Sequence, residues 1–269
     1  VPLVGAAALR GARRAATLLA LAALVAVAAT VHAEVVQRGN IRVAVSATFS
    51  PKRLPRTDTA PVAVNIGGGI ATLDGSLPPQ LKSLRIQLNR HGHLETTGLP
   101  ECRIGQIQPA STARALRVCR SALVGSGSFS VDVVLGSQDP YSTKGHLLVF
   151  NGTYGGRPAL LGQIYSAHPF TNSFVIPFRI GRSQHGRYGI ALTAKLPRAF
   201  TDWGYVTGLE MRLSRRYSYR GRRHSFIVAS CPAPKGFHAS AFTLARATFA
   251  FAGGTVLTSD LLDECRVGK

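Results

Sequence analysis

From Ile41 onward the chain repeats one pattern: a short stretch with apolar residues at alternate positions, then a break of Gly, Pro, Asn or Asp. Side chains of an extended strand alternate between its two faces, so this spacing builds a strand with one side turned inward and leaves little room for helix. The first such stretch is Ile41-Arg42-Val43-Ala44-Val45-Ser46-Ala47-Thr48-Phe49, ended by Pro51 and Pro55. Pro61 to Ala71, Leu84 to Leu88 and Ser128 to Leu135 behave alike, with Ile86, Leu88, Val131 and Val133 on inner faces. Asp74-Gly75 and Arg90-His91-Gly92 supply turns between them. Arg187 to Leu196, Tyr205 to Tyr217, Ser225 to Ser230 and Phe237 to Phe251 continue the pattern. The expected fold is all-β, an antiparallel β-sandwich or open barrel of about ten strands.

The centre of the chain departs from alternation. Leu147-Leu148-Val149-Phe150, Ala159-Leu160-Leu161 and Phe174-Val175-Ile176-Pro177-Phe178-Arg179-Ile180 are apolar runs, expected of strands covered on both faces. Gly155-Gly156 joins the first two as a hairpin turn. Pro177 cannot donate to a ladder, which places its strand at an edge or a bulge. Gly67-Gly68-Gly69 lacks the Lys and Ser/Thr of a phosphate loop and reads as a bulge or tight bend. One short helix is expected near 111–118, after Pro109, with Ser111 as its cap and Leu116 and Cys119 on one side.

Ahead of the strands, Arg10, Arg13 and Arg14 precede the apolar run Ala15 to Ala29, and the small residues Val31 and Ala33 occupy the positions a signal peptidase reads. That run is short against the roughly 20 residues of a membrane-spanning helix. Residues 1–33 are therefore expected to form a signal peptide with a short helix, and 34–269 a single exported domain, secreted or extracytoplasmic. In an oxidising compartment Cys102, Cys119, Cys231 and Cys265 read as two disulfides. Three connectivities are open. Cys102 with Cys119 and Cys231 with Cys265 is the most economical, because each pair closes a modest loop. No C-x-x-C pair or neighbouring His at ligand spacing argues for a metal.

The formal net charge is +20, and cleavage would remove three Arg and no acid. Such a surface concentrates polyanions without selecting among them. Its sharpest local form is a basic hairpin, Arg212, Arg215, Arg216, Arg220, Arg222 and Arg223 with His224, interleaved with Tyr217 and Tyr219 and turning at Gly221. Leu209, Met211 and Leu213 share one face of the strand leading into it, with Glu210 and Arg212 on the other. Guanidinium forks beside tyrosine rings suit phosphate, or stacking on bases or sugars. The plainer reading is a solvated tip whose arginines discourage edge-to-edge aggregation.

No catalytic set emerges. The 12 acids are scattered, with Glu95 and Glu101, or Asp132 and Asp139, the nearest couples. Asp260, Asp263 and Glu264 read as a turn cap or local charge balance, and His91 and His93 as surface turn histidines without a third ligand. Gly125-Ser126-Gly127-Ser128 lacks the G-x-S-x-G spacing of a nucleophile elbow. Asn151-Gly152-Thr153 fits a glycosylation sequon, but Asn-Gly is also a turn former, and the turn is expected.

At Gly98-Leu99-Pro100-Glu101-Cys102, Ala113 to Cys119, Ala122-Leu123-Val124-Gly125-Ser126-Gly127 and Tyr219-Arg220-Gly221-Arg222-Arg223-His224-Ser225, the chain resembles a family of uncharacterised exported β-rich proteins of high-GC Gram-positive bacteria. Pro51-Lys52-Arg53-Leu54-Pro55, Gly186-Arg187-Tyr188-Gly189 and Cys231-Pro232 extend the resemblance over most of residues 34–269. It implies a single secreted β-rich domain, favours the disulfides named above, and carries over no catalytic or binding residue. The functional expectation is a non-catalytic exported domain, without cofactor or metal, whose basic hairpin meets anionic cell-wall polymer or lipid headgroups rather than a specific nucleic acid. The alternative is a carrier in which Leu147 to Phe150 and Phe174 to Ile180 line a cavity for an apolar ligand. An extracellular hydrolase comes third.

Overall fold

A computed structural model describes residues 33–168, 171–182 and 186–268. The signal helix expected before Ala33 lies outside the described residues.

Alternation becomes sheet along almost the whole chain. β1 (Glu34–Arg38) turns at Gly39 into β2 (Ile41–Ser50); the short β3 (Arg53–Leu54) and β4 (Ala60–Pro61) lead to β5 (Ala63–Thr72). β6 (Leu81–Asn89) and β7 (Gly92–Leu94) precede two helices, α1 (Ile104–Ile107) and α2 (Thr112–Cys119). β8 (Leu123–Val133), β9 (Tyr141–Tyr154), β10 (Arg157–Ser166), β11 (Asn172–Arg182) and β12 (Tyr188–Lys195) form an antiparallel meander. After α3 (Arg198–Trp203) come β13 (Gly204–Leu213), the hairpin β14 (Arg216–Tyr219) and β15 (Arg222–Ser225), β16 (Ile227–Ala229), β17 (Ala239–Phe251) and β18 (Val256–Val267).

Thirteen of these strands make one sheet, in the order β1-β2-β5-β13-β8-β9-β10-β11-β12-β6-β17-β18-β3. It curls into a half-barrel. Every pairing in it is antiparallel except β18 with β3. The far end returns towards the start: β18 runs beside β1 and β2. There Asp263 accepts from the Phe49 N–H at 3.3 Å and pairs with the Lys52 ammonium. A second sheet, β4-β16-β7, lies over the concave side, so that Leu94 and Ile227 pack among Val64, Ile66 and Leu84 of the large sheet.

The alternating strands bury one face, as Val43, Val45 and Phe49 do while Arg42 stays exposed. In the apolar runs both faces are covered. Leu147 and Val149 join the main core, whereas Leu148, Phe150, Leu161 and Val175 meet Ile107, Ala115 and Cys119 of the helices in a second core. Each such side chain contributes about 1.5–3 kcal/mol on burial. The Ser111 hydroxyl caps α2 by accepting the Arg114 N–H at 3.3 Å, and the Cys102–Cys119 disulfide closes this module. Cys231–Cys265 ties the chain just beyond β16 to β18.

The structure corrects several local expectations. Strands outnumber the ten expected, because two-residue pieces at Arg53–Leu54 and Ala60–Pro61 pair as well; α1 and α3 add two short helices to the one foreseen. The glycines 67–69 form no bulge. Their ladder to β2 is continuous, and the irregularity lies across from them, where β13 slips against β8 between Val206 and Gly208. Asn151 makes no turn: it is buried inside β9, and its amide donates to the Leu99 and Pro100 carbonyls at 3.3 and 3.0 Å. Those bonds hold the strand leading to Cys102. Of the two readings of Asp260 and Asp263, local charge balance holds: both sit in β18, where Asp260 makes a two-pronged ion pair with Arg246 and Asp263 pairs with Lys52. Pro177 keeps its edge character inside the sheet, since the β11–β12 ladder stops at Arg179 and leaves Pro177 only β10 as a neighbour.

Candidate functional site

The concave side of the half-barrel is not filled. Two adjoining cavities of about 140 Å³ each lie between the large sheet and its cover, sharing the walls Val64, Ile66, Ile86, Leu94, Val206 and Ile227. A third, of about 130 Å³, opens beside Trp203 and shares Phe129, Val131 and Ile164 with its neighbour. The shared walls set the three side by side, and we call this group of mainly apolar cavities the lumen. The space exists because inward positions carry little or nothing: Gly68, Gly162, Ala245 and Ala247 stand in the alternation where a large side chain would otherwise plug the centre. At Gly162 a Cβ would meet Ile176 O at 3.5 Å and Phe178 Cε2 at 3.6 Å, ordinary contacts.

Leu147, Val149, Ile176 and Phe178, all from the two runs singled out as cavity walls, line this lumen. Leu148, Phe150 and Val175 face away from it into the helical module.

Polar residues stand in one part of the lumen wall, with their polar atoms bonded to one another and to backbone. Asn89 donates its amide to the Thr243 carbonyl at 2.7 Å and accepts the His91 N–H at 3.0 Å. His91 Nδ1 lies 3.0 Å from the Ser230 hydroxyl, and the Ser230 N–H donates to the His91 carbonyl at 3.0 Å. Burial, aided by the charges of Arg90 and His93, holds the His91 imidazole below its ordinary pKa. Only half of the expectation of surface turn histidines holds for each: His93 is exposed but lies in β7, paired with Val228, whereas His91 lies in the turn but is half-buried, because the turn folds under Ser230. Among the described residues no cluster of three or more His, Cys, Asp or Glu is placed to hold a metal ion.

The six arginines divide. Arg212 lies in β13 and donates to Asn65 Oδ1 at 3.1 Å. Arg215 is half-buried beside the hairpin, while Arg216, Arg220, Arg222 and Arg223 are exposed on it. The hairpin turns on Arg220 at φ +50° and Gly221 at φ +74°, the two-residue turn whose twist matches paired strands. Its tyrosines are occupied. The Tyr217 ring stacks on His224 at 5.4 Å between centroids, and its hydroxyl donates to the Glu95 and Thr97 carbonyls at 3.2 and 3.0 Å. Tyr219 lies flat on Gly98, where a Cβ would overlap its ring. Desolvation and the charge of Glu95 push the Tyr217 pKa up.

Comparison with protein families, curated proteins and solved structures finds no match. What the site does follows from its own chemistry.

The bonded polar residues in the lumen wall, the Trp203 opening and the gap at Gly162 were not anticipated. Only Gly162 left a trace in the sequence: in Leu160-Leu161-Gly162-Gln163-Ile164 it takes an inward slot between two large aliphatic residues.

Proposed function

We propose that this protein is a non-catalytic binding domain that works outside the cytoplasm and holds an elongated apolar ligand, of the acyl or polyprenyl kind, inside its half-barrel. The lumen lined by aliphatic side chains carries this reading. An apolar cavity stays dry and takes apolar guests. The three cavities together exceed the roughly 300 Å³ at which small-molecule pockets begin. Each methylene moved from water into such walls contributes about 0.8 kcal/mol, so a chain of about ten methylenes outweighs a moderate cost of association. Two disulfides accord with an oxidising compartment, and the expected signal peptide and the family resemblance point the same way.

The test is extraction of the purified protein with organic solvent and mass spectrometry of the extract, paired with titration of an environment-sensitive naphthylamine probe. The expected result is a co-purifying lipid and a saturable probe signal. Gly162→Leu projects its side chain into the lumen and abolishes that signal while the far-UV circular dichroism stays unchanged. Undiminished probe binding in Gly162→Leu would refute the lumen as the site.

A further inference from the structure

We propose that the exposed arginines of the β14–β15 hairpin dock the protein on an anionic phospholipid bilayer; that the bilayer is also the source of the apolar ligand rests on the lumen reading above. Two ion pairs occur among the described residues, Lys52–Asp263 and Arg246–Asp260, and neither involves the hairpin. Arg216, Arg222 and Arg223 therefore present their charge to whatever approaches, while the Arg220 guanidinium lies over the Tyr219 ring, 5.3 Å from its centroid.

The geometry selects phosphate over bases. Single-stranded nucleic acid needs aromatic faces on which to stack, and here Tyr217 is stacked on His224 while Tyr219 is flattened on Gly98. What remains outward is a set of guanidinium groups on a rigid two-residue turn, which suits a layer of phosphate oxygens. The hairpin also has a mechanical address. β15 passes through the fully buried Phe226 into β16, whose Ile227 and Ala229 line the lumen. Phe226 is pinned on both sides, its N–H donating to the Arg215 carbonyl at 2.8 Å and its carbonyl accepting the Glu95 N–H at 2.9 Å. The hairpin that would be held by a bilayer is therefore joined directly to the strand that covers the lumen, and an apolar ligand insoluble in water resides in that bilayer.

The experiment is co-sedimentation of the full chain with vesicles of phosphatidylcholine, with and without phosphatidylglycerol. Binding is expected to require phosphatidylglycerol and to weaken with added salt. In the combined variant Arg216→Ser, Arg222→Ser, Arg223→Ser the partition coefficient should fall about a hundredfold, with circular dichroism and probe binding in the lumen unchanged. Equal partition of variant and wild type, or equal binding to vesicles lacking phosphatidylglycerol, would overturn the proposal. Displacement from the vesicles by polyphosphate or duplex DNA at matched phosphate concentration would also overturn it, by making the face a general polyanion site. Partition is read whether or not the lumen is occupied, so vesicle binding without probe binding sinks the lumen reading alone, and the reverse sinks docking alone.

Discussion

Gly127 leaves no room for a methyl group, because a Cβ there would overlap the Glu210 carbonyl across the β8–β13 ladder. Gly127→Ala should therefore force two strands apart and destabilise by about 3 kcal/mol, near the upper end for overpacking. Gly105→Ala, in α1 with open space around it, should be neutral or stabilise by about 0.5–1 kcal/mol; urea unfolding of the two variants separates these outcomes. In the sequence, Gly125-Ser126-Gly127 was readable as a failed nucleophile elbow, but the cross-strand closeness that requires its glycines depends on Glu210, far along the chain. His91 carries a pH prediction. Its pKa is lowered in the fold from 6.5, so the unfolded chain binds the proton more readily. The stability tied to its neutral form is complete above pH 6.5 and drains away as the pH falls towards the folded value. Thermal unfolding between about pH 7 and pH 5 should show a shallower decline in His91→Gln than in the wild type.

Among the elements, the module of α1 and α2 on the outer face of β9 and β10 depends most on a covalent tie. Cys102 and Cys119 are 17 residues apart, and closing a loop of that size contributes about 3 kcal/mol in the chain-entropy model. Replacing both by Ala should speed amide hydrogen exchange over residues 103–119 while leaving β13 and β17 as protected as before; uniform loss of protection would show that the module is integral to the half-barrel. The helix itself was legible, because a Ser cap is local chemistry that any short helix needs. The fate of Asn151 was not. An Asn-Gly pair favours a turn, yet here the Asn151 side chain is itself buried and finds its acceptors in the Leu99 and Pro100 carbonyls, and that tertiary pairing overrides the local preference. The glycine run 67–69 misled in the same way: its glycines are permissive of a bend, but strand pairing on both sides holds them straight.

For the molecule as a whole, the charge is the dominant unbalanced term. With a formal +20 and two ion pairs among the described residues, mutual repulsion opposes the compact state. Raising monovalent salt from about 0.02 M to about 0.3 M screens it over a shortening Debye length, so the melting temperature should climb; a flat or falling trend in calorimetry would mean that local pairs outweigh repulsion. The all-β class was written in the alternation and the covered strands in the apolar runs. The lumen was not, since the same inward Val, Ile and Leu serve a filled core or the wall of a cavity, and only the facing distance decides which. Strand order was equally hidden, because nothing local tells β6 to lie between β12 and β17. That order sets a timetable for folding. Gly69 must wait for Gly208, and Leu88 for Ala245, so as the chain emerges from its N-terminal end, the meander β8 to β12 can zip by itself while β5 and β6 hold open edges. Such distant pairings slow folding towards the millisecond-to-second range. β17 is the keystone of assembly: until it arrives, β6 lacks one of its two neighbours, and neither β18 nor β3 can join the large sheet.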